Sequence, residues 1–195
     1  MRFFACCLLL GLATCCSAEE PVVRLPRPKV KLDSADPAWL GSAVQFHGHL
    51  GPWLVAGLRM GASGLRTAGA DGYFDVDVTA EGPLAKPPQA CFLDGLQVAT
   101  GATLGKRNLK WVEAPRVAVR VRNVRTGKTV VIRPTTAMVE WIATAKGVPL
   151  SPANLNRAAS APGEEHGAKD SDNLDAIARR IAKAPESEIL VISAQ

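Results

Sequence analysis

The chain has 195 residues, 47% hydrophobic and 21% charged, with a net charge of +5 at pH 7. That is the composition of a globular chain long enough to bury its own core. The basic excess is too mild to argue for a nucleic-acid partner, and with 5% aromatics the four tryptophans, Trp39, Trp53, Trp111 and Trp141, read as packing anchors, not a base-stacking platform.

In chain order, Arg2, an apolar stretch over residues 3–13 and the small residues Ser17 and Ala18 have the pattern of a cleaved export signal over residues 1–18. The apolar stretch is too short to span a bilayer, so the mature chain is expected to carry no transmembrane segment and to reside in the periplasm or outside the cell. Lipoprotein processing at Cys15, after Leu12-Ala13-Thr14, is the lesser alternative. Cleavage removes Cys6, Cys7, Cys15 and Cys16 and leaves Cys91 as the one thiol, so no internal disulfide is expected.

Residues 19–34, rich in proline and alternating charge, read as an extended leader before a single domain over residues 35–195. Asp36-Pro37 has the pattern of an N-cap and first helical position, opening a short helix through residue 46. Gly48 and Gly51 interrupt it, and Pro52 starts a longer helix to about residue 66, with Leu54, Val55, Leu58 and Met60 inward. The glycines at 57, 61 and 64 admit close packing, expected against a sheet. Residues 74–78 alternate as a half-buried strand, the proline-rich residues 81–90 form a loop, and residues 91–101 return to helical periodicity. A hairpin follows, with strands at 116–123 and 128–133 turning at Arg125-Thr126-Gly127. Its outward Arg120, Arg122, Lys128 and Arg133 read first as a solvated face and second as an anion site. Thr135 caps a helix to residue 146 with Met138, Val139 and Ile142 inward; residues 149–172 read as a mobile loop, 173–184 as a helix and 188–193 as a last strand. The order implies an α+β fold, helices layered on a sheet.

Two of the chain's three histidines, His47 and His49, stand one residue apart in the run FHGHLGPW. On a regular helix they point about 200° apart, but Gly48 and Gly51 let the backbone leave the helix and turn both rings to one point. Cys91 opens a helix whose N-terminal partial charge favours a thiolate, and Asp94, three residues on, shares its face as a further ligand, an acceptor for an imidazole N–H, or a proton carrier. Two imidazoles and a thiolate suit a divalent transition metal, zinc first, with a fourth position open. By spacing alone three readings stay open: this metal site, a Cys-His-Asp nucleophile, and helix-capping histidines beside a buried, inert cysteine. His166, beside Glu164 and Glu165, reads as plain surface.

The segments FHGHLGPWLVAGLRMG and CFLDGLQVATGATLGKRN together resemble the two signature segments of the FmdE family, named for a component of formylmethanofuran dehydrogenase. The resemblance implies an α+β domain with helices packed on a mixed, largely antiparallel sheet and a bound transition metal. It places His47, His49 and Cys91 on ligand positions and Asp94, Gln97, Thr103 and Lys106 on the adjoining polar ones. The chain departs from the pattern at Gly51 and Ala102, where many members carry cysteine, and in lacking a C-terminal zinc ribbon; a thiol redox pair or iron–sulfur cluster is not expected. The resulting expectation is an exported FmdE-like protein whose metal serves a reaction on a small anionic substrate, with Asp94 moving protons and Lys106 binding the anion. A non-catalytic metal-binding or sensing module and an anion-binding module with a purely structural site are the alternatives, and a homodimer is left open.

Overall fold

The computed structural model describes residues 25–28, 30–144 and 168–195. Its elements in chain order are α1 (Leu40–His47), α2 (Pro52–Ala68), β1 (Val76–Glu81), α3 (Cys91–Thr100), β2 (Leu109–Val112), β3 (Ala118–Asn123), β4 (Thr129–Pro134), α4 (Thr136–Thr144), α5 (Ala168–Lys183), the single turn α6 (Glu186–Ile189) and β5 (Leu190–Ala194). The strands form one sheet in the order β2-β1-β3-β4-β5, in which β2 pairs parallel to β1 and every other pair is antiparallel. This is the single α+β domain with a mixed, largely antiparallel sheet that the sequence implies.

Alternation in β1 and β3 buries Val76, Val78, Ala80, Val119 and Val121 on one face, and β4 adds Val130 and Ile132. Helix α2 lies on that face and brings Leu54, Val55 and Met60 into the same core as Phe92 and Leu96 of α3. Each such side chain contributes roughly 1.5–3 kcal/mol by leaving water. The approach of α2 depends on its glycines, though not only against the sheet as the sequence suggested. A Cβ at Gly64 would meet Val121 Cγ2 at 2.5 Å, whereas Cβ atoms at Gly57 and Gly61 would meet Phe92 O at 2.1 Å and Ala99 Cβ at 2.9 Å. Two of the three therefore serve the crossing with α3, and Gly95 faces them from the other side, 2.1 Å from its added Cβ to Leu54 O.

On the opposite face of the hairpin Arg122, Lys128 and Arg133 are exposed and Arg120 half-buried, as expected, although Val131 between them is buried. Arg122 reaches Asp77, its direct partner across β3 and β1, at 3.4 Å, and Arg120 reaches Glu81 at 3.5 Å. Exposed pairs of this kind add little stability.

Several boundaries differ from the sequence reading, each for a local reason. Helix α1 begins at Leu40, because the Asp36 carboxylate does not cap it; it is held by Arg179 Nε at 3.0 Å and Lys183 Nζ at 3.4 Å, fastening the chain before α1 to α5. Strand β1 starts at Val76, not residue 74, since Asp75 turns its carboxylate back to the Asp71 N–H and to Arg125. Strand β2 escaped sequence reading altogether: at the sheet edge only Leu109 is buried, so no alternation marks it. The last strand begins two residues later than expected, after the turn α6. Of the segment expected as a mobile loop, residues 149–167 lie outside the described residues, and residues 168–172 open α5 instead. The helix expected to reach residue 146 is described to Thr144, and the expected export signal lies outside the described residues. Among the tryptophans, Trp53 and Trp141 pack against the core, but Trp39 and Trp111 are 41% and 39% exposed. Part of the leader is docked, with Val30 and Leu32 against the core and Gln45 donating to Pro26 O at 2.9 Å.

Candidate metal centre

His47 is the last residue of α1, and Gly48 ends the helix in the left-handed region at φ 93°, its N–H returning to Val44 O at 2.8 Å. That conformation is open to glycine and turns the next residue back across the helix end. His49 consequently comes round beside His47, the two ring centroids 4.4 Å apart and tilted by 41°. Gly51 is extended, Pro52 starts α2, and a Cβ on Gly51 would sit 3.4 Å from His49 Nε2, so the position keeps room for the imidazole. From the other side, the loop containing Pro87 and Pro88 delivers Cys91 as the first residue of α3. The glycine-mediated crossing of α2 and α3 fixes these two ends against each other.

The outcome is a cluster in which one ligand atom each from His47, His49 and Cys91 lies within 4.8 Å of the others. Asp94, one turn into α3, accepts from His47 Nδ1 at 2.7 Å and from Gln97 Nε2 at 3.3 Å. With Nδ1 committed to the carboxylate, Nε2 is the nitrogen left to coordinate; it is buried and meets no oxygen or nitrogen at hydrogen-bond geometry, the Cys91 side chain being the polar group that acts on the ring beside Asp94. A buried polar atom without a partner is costly and calls for an explanation; an open coordination bond supplies one. The Asp94 hydrogen bond, followed by the neighbouring Cys91 and against the effect of burial, pushes His47 up to about 9.

Two nitrogens and a sulfur at zinc bond lengths in a tetrahedron stand roughly 3.3–3.6 Å apart, so ligand atoms within 4.8 Å of one another lie within about 1.5 Å of closure. The donor set therefore fits a borderline-soft divalent ion. A cavity of about 300 Å³ opens beside it, lined by His47, Cys91 and Asp94 together with Leu104, Leu109 and Trp111.

Of the residues singled out in the sequence, His47, His49, Cys91, Asp94 and Gln97 come together. Thr103 and Lys106 do not line the cavity: Thr103 Oγ1 accepts the Lys106 N–H at 3.1 Å, and the Lys106 ammonium lies over the rings of Phe74 and Tyr73, 5.6 and 5.9 Å from their centroids. The lysine at the wall is Lys110, in the strand that sequence reading missed. Asn108 was missed too; its amide donates to Tyr73 O at 2.5 Å and Val76 O at 2.8 Å and accepts the Thr103 N–H at 3.0 Å, holding the turn after α3 against β1. No pattern in one sequence marks such a clamp.

Against known proteins, the family model described as "FmdE, Molybdenum formylmethanofuran dehydrogenase operon" matches residues 46–191. A probable S-adenosyl-L-methionine-binding protein of Archaeoglobus fulgidus is 30% identical over 79 residues, 40% of this chain and 22% of that protein. The chain thus spans about a fifth of that relative's length. Among solved structures, an FmdE-like protein of Syntrophus aciditrophicus, described as of the tungsten formylmethanofuran dehydrogenase, superposes with a TM-score of 0.51 at 18% identity, over 80% of this chain and 70% of that one. That likeness speaks for the fold.

Proposed function

The chain belongs to the FmdE family, and from that premise we propose that it holds one divalent transition metal, zinc first, through His47 Nε2, His49 and Cys91 Sγ. The observation that carries the reading is the buried His47 Nε2 in a cluster whose three ligand atoms lie within 4.8 Å of one another. Three protein ligands leave a fourth position toward the cavity, the pattern of sites that meet an outside molecule. A metal bound there would polarise a donor atom entering the cavity. The chain's own residues prepare that position. Asp94 holds the proton on His47 Nδ1 and so fixes the tautomer that aims Nε2 at the ion, and Gln97 fixes Asp94. Should the site be catalytic, Asp94 is the group that can pass a proton at the cavity wall. A binding or sensing role without turnover uses the same geometry.

X-ray absorption at the zinc edge of the zinc-loaded protein tests the ligand set: one sulfur at about 2.3 Å and two nitrogens at about 2.0–2.1 Å support it, and a sulfur-free shell refutes it. We propose further that the protein is exported with residues 1–18 removed, supported by a mature N-terminus at Glu19 and refuted by retention of residues 1–18.

A further inference from the structure

The cavity beside the cluster has a chemistry of its own. A volume of about 300 Å³ is the share of about ten water molecules in the liquid, hence room for a molecule of about ten non-hydrogen atoms. Besides His47 and Cys91 its wall includes Leu93, Leu104, Leu109 and Trp111. The Trp111 indole N–H donates to Gly82 O at 2.9 Å, which fixes the ring and spends its polar atom on the protein. Leu104 stands at the wall 73% exposed, an apolar side chain that would lose water contact if the cavity were filled.

The charged side chains of the wall are few, Asp94 and Lys110 beside His47. Asp94 accepts from His47 and Gln97. Lys110 also lines the cavity, but it is exposed, its ammonium staying in water, and alternation along β2 starts its side chain from the face opposite Leu109 and Trp111. Lys106, the cation expected from sequence to bind an anion, lies over Phe74 and Tyr73. A ligand charged along its body would lose its hydration against leucine and tryptophan, with Lys110 the one lysine of the lining to set against that loss.

Resting on the metal reading above, we propose that the cavity takes a small molecule with an uncharged, apolar body and a single donor group, the body against Leu93, Leu104 and Trp111 and the donor at the open metal position. This narrows the substrate or ligand class away from the small anionic substrate that the sequence suggested.

The test uses the cobalt(II)-loaded protein and three probes with the same chelating head: acetohydroxamate, benzohydroxamate and 4-carboxybenzohydroxamate. Binding is read from the cobalt ligand-field bands. Benzohydroxamate should bind at least about tenfold more tightly than acetohydroxamate, the order that a partly buried phenyl group supplies. The carboxylated probe should lose most of that gain. Leu104→Ser, at an exposed position where folding is not at stake, should weaken benzohydroxamate by about three- to fivefold while leaving cobalt and acetohydroxamate affinity unchanged. Equal affinity for the acetyl and phenyl probes overturns the proposal, as does tight binding of the carboxylated probe or a phenyl preference untouched by Leu104→Ser. The two levels separate cleanly. Absence of thiolate-to-cobalt charge-transfer absorption overturns the metal reading and this proposal with it, whereas that absorption with probes that are not distinguished overturns this proposal alone.

Discussion

Replacing Gly57 by alanine tests how the fold builds the site. The added Cβ would lie 2.1 Å from Phe92 O and 3.1 Å from Gly95 Cα and Leu96 N, all backbone atoms with no rotamer to escape into. Unbonded carbon and oxygen stay about 3.3 Å apart even in close C–H···O contacts, so α2 and α3 must separate by about 1 Å. Overpacking of this kind costs about 1–3 kcal/mol, and rigid partners put Gly57 at the upper end. Alanine offsets about 1 kcal/mol of this through its better helix propensity. The net loss is about 2 kcal/mol, a fall in Tm of roughly 4–8 °C for a chain of this size. Because α3 begins with Cys91 and α2 follows directly on His49 and Gly51, the same separation should weaken zinc binding. Gly41 is the control: it lies in α1 with nothing within 4 Å of its added Cβ, so Gly41→Ala should raise stability by about 0.5–1 kcal/mol. Differential scanning calorimetry with a zinc titration of each variant decides the matter. Stabilisation by both substitutions, or equal loss from both, would refute the claim that the glycine crossing sets the distance between the histidines and the thiol.

Asp94→Asn keeps the shape of the side chain but not its charge or its unambiguous acceptance from His47 Nδ1, and should lower zinc affinity about 10–100-fold in a chelator competition assay; unchanged affinity would remove Asp94 from the site. The Asp36 side chain is 1% exposed, and the rise in its pKa from burial is outweighed by the hydrogen bond it accepts from the Asp33 N–H and by Arg179 and Lys183, so its carboxyl titrates below the ordinary 3.8. A depressed carboxylate stabilises the fold above its unfolded pKa and loses that contribution as pH falls through the folded one. Wild type should therefore exceed Asp36→Asn in Tm by a constant margin from neutral pH down to about 4, and the margin should shrink below that; a margin independent of pH down to about 2 would contradict this. Arg59 donates to the carbonyls of Ile181, Ala182 and Ala184 at the end of α5, and Arg59→Met should cost about 2 kcal/mol in urea unfolding by leaving them without donors. A loss under about 0.5 kcal/mol would show that water replaces the guanidinium.

What the sequence reveals is what local chemistry dictates. Gly48 and Gly51 announce that the histidines leave the helix, and proline before Cys91 announces a helix start, so the components of the site and most helices are readable without coordinates. The hairpin turn and the apolar residues on either side of it reveal β3 and β4, the latter buried on both faces through Val130, Val131 and Ile132, whereas β2, an edge strand with three exposed residues, carries no such mark. Asp36 shows the limit from another side: it has the form of an N-cap, but Arg179 and Lys183, more than 140 residues away, compete for it and win. The same holds for Lys106, which sequence places near Cys91 but whose ammonium finds two aromatic faces instead. Tertiary partners of this kind have no local signature.

The central claim is that His47, His49 and Cys91 form one coordination sphere. Metal content of the protein, purified without chelator or metal-affinity tag and measured by inductively coupled plasma mass spectrometry, tests it most directly. The account predicts close to one divalent transition metal per chain, lost in both Cys91→Ser and His49→Ala while the variants keep their fold. Metal-free wild-type protein that takes up no zinc on reconstitution, or a metal content that both variants retain, would contradict it.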